Sequence, residues 1–205
     1  MEPLKTADCH PSERRETTSI LKKNRLHMER HKIEMILSLS AGIVFGCVTQ
    51  AIYGSREEWN GIAEAYCAGV GKAFAAIAPV SVGFIVLLFL FAQSELSRML
   101  IAPAAALRGM GIGALLCGTL QAASLRELCF ASLVLLPYGV TSCVIAVYAG
   151  EYALGFRESI SGWNEGLSDK LVIHAIKMTT FYLLLSACSC AVFAVSCHWF
   201  GKALI

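Results

Sequence analysis

Residues 79–92 read PVSVGFIVLLFLFA, and the apolar run that they complete begins at Ala73. No charged residue lies between Ala73 and Ala92. A transmembrane helix needs about 20 mainly apolar residues. Pro79 lies near the start of the run, where a helix tolerates proline better than in its interior. The run therefore predicts a membrane span over about residues 73–92.

The composition of the whole chain agrees with this prediction. Of its 205 residues 56% are hydrophobic and only 16% are charged, whereas roughly a quarter of the residues in soluble domains are charged. Four more windows qualify as spans, at about residues 35–53, 103–123, 128–150 and 177–199. We therefore predict an all-α integral membrane helical bundle of about five transmembrane helices. This membrane domain, residues 33–205, would follow a flexible or amphipathic basic tail, residues 1–32.

Two connections carry apolar residues at helical spacing. They are Trp59, Ile62, Tyr66 and Val70 before the second span, and Ile160, Trp163, Leu167 and Leu171 before the fifth. Amphipathic segments with tryptophan lie at the level of the lipid headgroups. We expect two short interfacial helices there.

Charge sets the expected orientation. The first 32 residues contain no apolar stretch of the kind that a cleaved signal needs, so we expect the basic tail to be retained. With a cytoplasmic N-terminus, the inner segments hold 13 Lys and Arg residues and the outer segments hold four. The inner set is the eight between Lys5 and Lys32 with Arg98, Arg108, Arg157, Lys170 and Lys177; the outer set is Arg56, Lys72, Arg126 and Lys202. The positive-inside rule thus predicts a cytoplasmic N-terminus and, with five spans, an extracytoplasmic C-terminus in the cell membrane.

The sequence offers no pattern typical of an enzyme. It contains no GxSxG or HExxH motif, no phosphate-binding loop, and no Asp within any predicted span. We therefore predict no catalytic, cofactor-binding or metal-binding residue, no cofactor and no nucleic-acid partner; self-association stays open. An intramembrane hydrolase is disfavoured because no nucleophile and base are paired.

Several residues that could bind metal or carry protons have simpler interpretations. Cysteines within apolar runs, such as Cys190, behave as small hydrophobes. His27 and His31 are expected on a solvated face of the tail. Glu95 and Glu151 are expected as hydrated residues at the inner ends of spans.

Arg108 is the most informative charge, because it lies within the Gly-rich third span. Its guanidinium could snorkel to the inner interface. Alternatively, it could pair with a carboxylate or a carbonyl where helices pack together. The sequence leaves both interpretations open.

Small residues recur every four positions in two spans. Ser38, Gly42 and Gly46 do so in the first, and Gly109 and Gly113 in the third. This spacing makes a groove along one helix face and allows close approach of another backbone. The groove could serve packing within this chain or the docking of a membrane helix from another protein.

Residues 135–150 read LLPYGVTSCVIAVYAG. Pro137 removes a backbone donor, so we expect a kink there, packed between the third and fourth spans. The carbonyls that it frees could be met by the hydroxyl of Tyr138, and by a neighbouring helix that comes close at Gly139. Gly150 marks the expected end of the fourth span.

Two segments, LRGMGIGALLCGTL (107–120) and LPYGVTSCVIAVYAG (136–150), resemble the stage II sporulation protein M family of multi-pass membrane proteins. The resemblance covers about residues 33–205. Many relatives resemble Leu-Pro-His-Gly with a Glu three residues after the Gly, whereas this chain has Tyr138 and Ser142 at those two places. A proton-handling or metal role for these positions is therefore not expected here.

The resemblance implies a non-enzymatic membrane scaffold. It would recruit peptidoglycan-degrading enzymes, stage II sporulation proteins D and P, for septal wall dissolution and forespore engulfment. An alternative is a permease or transporter subunit, working alone or with a cytoplasmic ATPase. Arg108 in a Gly-rich span, together with Pro79 and Pro137, motivates that alternative.

Overall fold

A computed structural model describes the backbone of residues 11–54, 68–121, 125–161 and 169–204. It describes the side chains of residues 30–54, 68–121, 125, 128–156 and 172–200. Within these residues the chain is helical and contains no strand. The two expected interfacial helices fall largely on residues 55–67 and 162–168, outside the described residues.

Five helices in the described part of the chain are long and apolar enough to cross a membrane. Their candidate spans are Arg30–Tyr53, Val70–Ala92, Ser97–Gln121, Leu128–Phe156 and Val172–Phe200. The predicted all-α bundle with five spans is confirmed. Helices are the expected solution because an α-helix satisfies its own backbone hydrogen bonds where lipid cannot.

The described elements follow one another along the chain in this order. They are α1 (Pro11–Tyr53), α2 (Val70–Ala92), α3 (Ser97–Gln121), α4 (Leu125–Phe130), a π-helical segment (Ala131–Leu135), α5 (Leu136–Ser161) and α6 (Asp169–Leu204). The helices run beyond several predicted span limits, since polar residues lower the hydropathy of helix ends without breaking the helix. Thus α3 begins before Pro103, α5 continues past Gly150 and α6 begins before Lys177.

The first helix is much longer than a membrane is thick. It has 43 residues, or about 65 Å at 1.5 Å per residue, against a hydrocarbon layer of about 30 Å. Pro11 occupies the first helical position, where its missing N–H costs nothing. Most of the segment predicted to be a flexible or amphipathic tail is therefore helical and continuous with the first span.

The central helix of the bundle is α5, which contacts α1, α2, α3 and α6. The most extensive contact joins α1 to α3, and the next joins α2 to α6. Buried apolar residues form two clusters, one containing Ile85 and Leu88 and the other containing Ile77 and Val134. On α2 these clusters lie on either side of the buried Ser81. A polar layer thus separates two apolar halves.

The fourth span is irregular where Pro137 predicts it, but Pro137 is not packed. The π-helical segment ends at Leu135, and the N–H of Leu136 donates to the carbonyl of Ala131. The wider turn accommodates the proline that follows. Pro137 itself is exposed on the outside of the bundle, while Tyr138 and Gly139 are buried. The prediction of a packed Pro137 was wrong, because Pro137 lies on the outer face of the helix and the two residues that follow it lie on the inner face.

Candidate functional site

The paired glycines of the first and third spans lie against each other. A Cβ added at Gly42 would overlap the carbonyl oxygen of Ala106, and one at Gly46 would overlap that of Met110. From the opposite side, a Cβ at Gly109 would overlap the carbonyl oxygen of Leu39. Likewise, Gly113 lies against the carbonyl of Ile43. All four glycines therefore serve close backbone contact between α1 and α3 of one chain, and their faces are occupied.

The two other candidate glycines have different surroundings. A Cβ at Gly139 would lie 3.5 Å from Cγ2 of Ile112, an ordinary van der Waals distance. Gly139 thus faces a side chain, and the expected close backbone approach does not occur there. A Cβ at Gly150 would lie 2.7 Å from Sδ of Met35 and closer still to its Cε. Gly150 makes room for the buried Met35 side chain from α1.

Arg108 lies where α2, α3 and α5 meet, and it donates to hydroxyl groups. Its Nη2 donates to Ser81 Oγ at 2.7 Å and to Ser142 Oγ at 2.7 Å. It also donates to the Tyr138 hydroxyl at 3.3 Å. Ser81 and Tyr138 share a hydrogen bond of 2.8 Å. One nitrogen of a single arginine thereby joins three helices.

The arginine cluster lies at the middle of the spans. Ser81, Ser142 and Ser186 are the middle residues of Val70–Ala92, Leu128–Phe156 and Val172–Phe200, and Arg108 is one position from the middle of Ser97–Gln121. Arg108 lies where helices pack together, but its hydrogen-bond partners differ from those of the second interpretation. The guanidinium does not snorkel to the interface, and its partners are hydroxyls instead of a carboxylate or a carbonyl.

The charge of Arg108 has no anionic partner among the residues that the structure describes. The carboxylates with described side chains are Glu34, Glu95 and Glu151, and none of them pairs with Arg108. Its Nε and Nη1 form no hydrogen bond within the described residues. A charge at the centre of a membrane is costly and usually marks a functional position. Arg108 is therefore the centre of the candidate site.

A small cavity lies beside the cluster, on the side facing α6. It has a volume of about 10 Å³ and is lined by Arg108, Ser142, Ser186 and Cys190, among others. That is room for about one water molecule. The ring of Tyr138 packs on the ring of Phe193 at 4.4 Å between centroids. The interior side of the arginine therefore has room for little more than one water molecule.

The sequence identified Arg108 and Tyr138 but missed the serines that join them. Ser142 was noted only as a departure from the family pattern, and Ser81 and Ser186 were not singled out. Tyr138 was expected to meet carbonyls freed by Pro137, but its hydroxyl bonds to Ser81 and Arg108 instead. A usable signal did exist, because each of these serines lies at the centre of an apolar span.

A second charged contact lies at the end of the bundle where α1 enters its span. Lys32 Nζ is 3.4 Å from Glu151 Oε2 and 4.7 Å from the ring centroid of Tyr148. Glu151 is only 6% exposed, so the expectation of a hydrated carboxylate was wrong. The extension of α5 past Gly150 holds Glu151 against α1.

The histidine and cysteine predictions have mixed outcomes. His31 is 1% exposed, so it does not lie on a solvated face; its Nδ1 is 3.7 Å from Glu34 Oε2. The side chain of His27 lies outside the described ones. Cys190 and Cys197 are buried among apolar residues, as expected. In the described part of the chain, no three His, Cys, Asp or Glu residues are placed to hold a metal ion.

Fold and site together define a multi-pass helical membrane protein with a polar cluster at the middle of its candidate spans. Comparison with protein-family models, curated proteins and solved structures finds no match for this chain. The resemblance to the stage II sporulation protein M family therefore rests on the two sequence segments alone.

Proposed function

We propose that the protein is a non-enzymatic scaffold of the cell membrane. It would recruit peptidoglycan-degrading enzymes, stage II sporulation proteins D and P, for septal wall dissolution and forespore engulfment. The observation that supports a scaffold is the α1–α3 contact, in which four glycines bring two backbones together. Such a contact makes a rigid frame, since association in lipid depends on close packing.

The frame also limits where partners can bind. Gly42, Gly46, Gly109 and Gly113 already face backbone atoms of the same chain. A partner helix would have to separate α1 from α3 to use them. The proposal therefore places partner contacts on outward helix faces and on the extracytoplasmic connections.

Co-purification tests the scaffold. The tagged chain is isolated from detergent-solubilised membranes of a spore-forming host, and hydrolases D and P are quantified by mass spectrometry. Gly111→Leu should retain both, because no atom lies within 4 Å of a Cβ at that position. Gly113→Leu should lose both, since it separates α1 from α3. Absence of D and P from the wild-type preparation would contradict the proposal.

The proposed orientation has the N-terminus in the cytoplasm and the C-terminus outside. Arg108 lies at mid-span, so it is not one of the positive charges of an inner loop. The basic residues from Lys5 to Lys32 still give the inner segments the larger number of positive charges. Epitope tags at both ends, followed by protease treatment of spheroplasts, test this. The C-terminal tag should be removed and the N-terminal tag protected; the reverse pattern would contradict the orientation.

A permease or transporter subunit is the second candidate function, and Arg108 favours it. Transporters bind substrates near the membrane midplane, and a cation there that has no anionic partner among the described side chains would attract an anion. Uptake of labelled organic anions into liposomes containing the protein, absent with Arg108→Met, would support transport. Uptake equal to that of protein-free liposomes, with or without a co-expressed ATPase partner, would count against it.

A further inference from the structure

A second opening reaches Arg108 from the lipid side. It has a volume of about 270 Å³, and its lining includes Ile77, Val80, Arg108, Gly111, Tyr138 and Phe193. Val80 and Gly111 are exposed on the outside of the bundle. The opening is therefore a lateral pocket between α2 and α3 that a molecule dissolved in the bilayer can enter.

The donors of Arg108 are used unevenly. The hydrogen bonds to Ser81, Ser142 and Tyr138 all come from Nη2. A guanidinium has five N–H donors and remains charged. Nε and Nη1 together carry three of them, and none meets an acceptor within the described residues. An unmet charged donor in lipid is expensive, so an acceptor that brings negative charge would be bound strongly.

The walls of the pocket specify the rest of the ligand. Apart from Arg108 and the Tyr138 hydroxyl, the named lining groups are apolar. The volume is slightly below the range of roughly 300–1,000 Å³ that is usual for small-molecule sites. The pocket can thus hold an anionic group with the first part of an alkyl chain, while the remainder of the chain stays in lipid.

We propose that this lateral pocket binds a long-chain carboxylate. The carboxylate accepts hydrogen bonds from the free donors of Arg108, and the alkyl chain lies along Ile77, Val80 and Phe193. The positive charge of Arg108 favours an anionic headgroup, and the opening to lipid favours a ligand with a long alkyl chain. The site does not rest on the scaffold proposal, because it needs no protein partner.

Binding of radiolabelled oleate to the purified, delipidated full chain tests the site. Arg108→Met should weaken binding at least about tenfold, the equivalent of one hydrogen-bonded charge. Gly111→Leu should also weaken it, because the leucine fills the opening and leaves the arginine in place. Lys72→Met is the matched control: it removes an exposed positive charge at the start of α2 and should leave oleate affinity unchanged.

Competing ligands identify the chemistry. Methyl oleate has the same chain without the charge and should compete at least about tenfold more weakly than oleate. Acetate should not compete, because it lacks the chain. Equal competition by methyl oleate, displacement by acetate, or wild-type affinity in a folded Arg108→Met variant would each overturn the proposal. If Arg108→Met does not fold, Gly111→Leu decides alone.

Discussion

Gly111 and Gly113 lie two positions apart on α3, but Gly113 packs against the backbone of α1, whereas Gly111 faces open space. At Gly113, an added Cβ would lie 2.8 Å from the carbonyl carbon of Ile43, whereas at Gly111 it would meet nothing within 4 Å. Gly113→Ala should therefore destabilise the protein by about 1–3 kcal/mol, the usual cost of overpacking. Gly111→Ala should be neutral or slightly stabilising. Thermal unfolding in detergent measures both, and equal melting temperatures would contradict the α1–α3 contact.

Arg108 should contribute little to stability, although it joins three helices. Hydrogen bonds between membrane helices average about 0.6 kcal/mol, whereas a central arginine costs roughly 2.5–3.5 kcal/mol or more. After Arg108→Met, Ser81 and Tyr138 keep their mutual hydrogen bond. Ser142 can bond to a carbonyl of its own helix, as Thr141 does.

We therefore expect Arg108→Met to melt at or above the wild-type temperature in detergent. A charged residue that lowers stability at such a depth usually serves function. A fall in melting temperature as large as that of Gly113→Ala would instead make the arginine a structural clamp.

Single residues show how far the sequence could predict the site. Arg108 was predictable because a charge in an apolar run is conspicuous, and the glycines because their spacing fits one helix face. The central positions of Ser81 and Ser142 in their spans were visible in the sequence, but their contact with Arg108 was not, since a serine in an apolar run does not reveal which helix it faces. That depends on the rotation of each helix against its neighbours, which hydropathy does not determine.

At the scale of elements, the contact between α1 and α5 depends on a charge pair at its end. The Lys32 side chain is 37% exposed, whereas Glu151 is 6% exposed. Lys32→Met should leave a buried carboxylate without its cation and cost roughly 1–3 kcal/mol. Adding Glu151→Gln should restore part of that loss, because the amide needs no cation.

A double-mutant cycle at neutral pH measures this coupling from the melting temperatures of the four forms. Strict additivity of the two substitutions would show that Lys32 and Glu151 do not interact.

The elements themselves were largely predictable. Five apolar runs gave five spans, and Pro137 indicated the irregular fourth span. The position of the irregularity follows from the proline, but the direction in which the proline points does not. That direction is set by the π-helical segment before it, which shifts the angular positions of the residues that follow. The ends of helices were also missed, since they lie beyond the apolar layer.

At the scale of the whole molecule, the bundle consists of two apolar halves with a polar layer between them. The close contact of α1 and α3 provides a rigid side, and α5 connects it to α2 and α6. Arg108 has room for about one water molecule on its interior side and a larger, lipid-facing pocket on the other. The scaffold and the ligand site are compatible, because a rigid frame can hold Arg108 in position to bind an anion within the lipid layer.

The central claim is that Arg108 lies at mid-depth in the membrane, and nitroxide depth measurements on α3 test it most directly. Met99, Leu107 and Leu120 point outward and are 74%, 70% and 73% exposed, so labels there should not disturb packing. Labels are attached through a genetically encoded ketone amino acid, which leaves the nine native cysteines in place. Collision rates with oxygen and with a water-soluble nickel chelate then give the depth of each label in a bilayer.

Leu107 lies about 12 Å along the helix from Met99 and about 20 Å from Leu120. The mid-depth position of Arg108 predicts that the label at Leu107 is the deepest of the three and that the other two lie nearer to opposite membrane surfaces. A label at Leu107 that lies at headgroup depth, shallower than the one at Leu120, would contradict it.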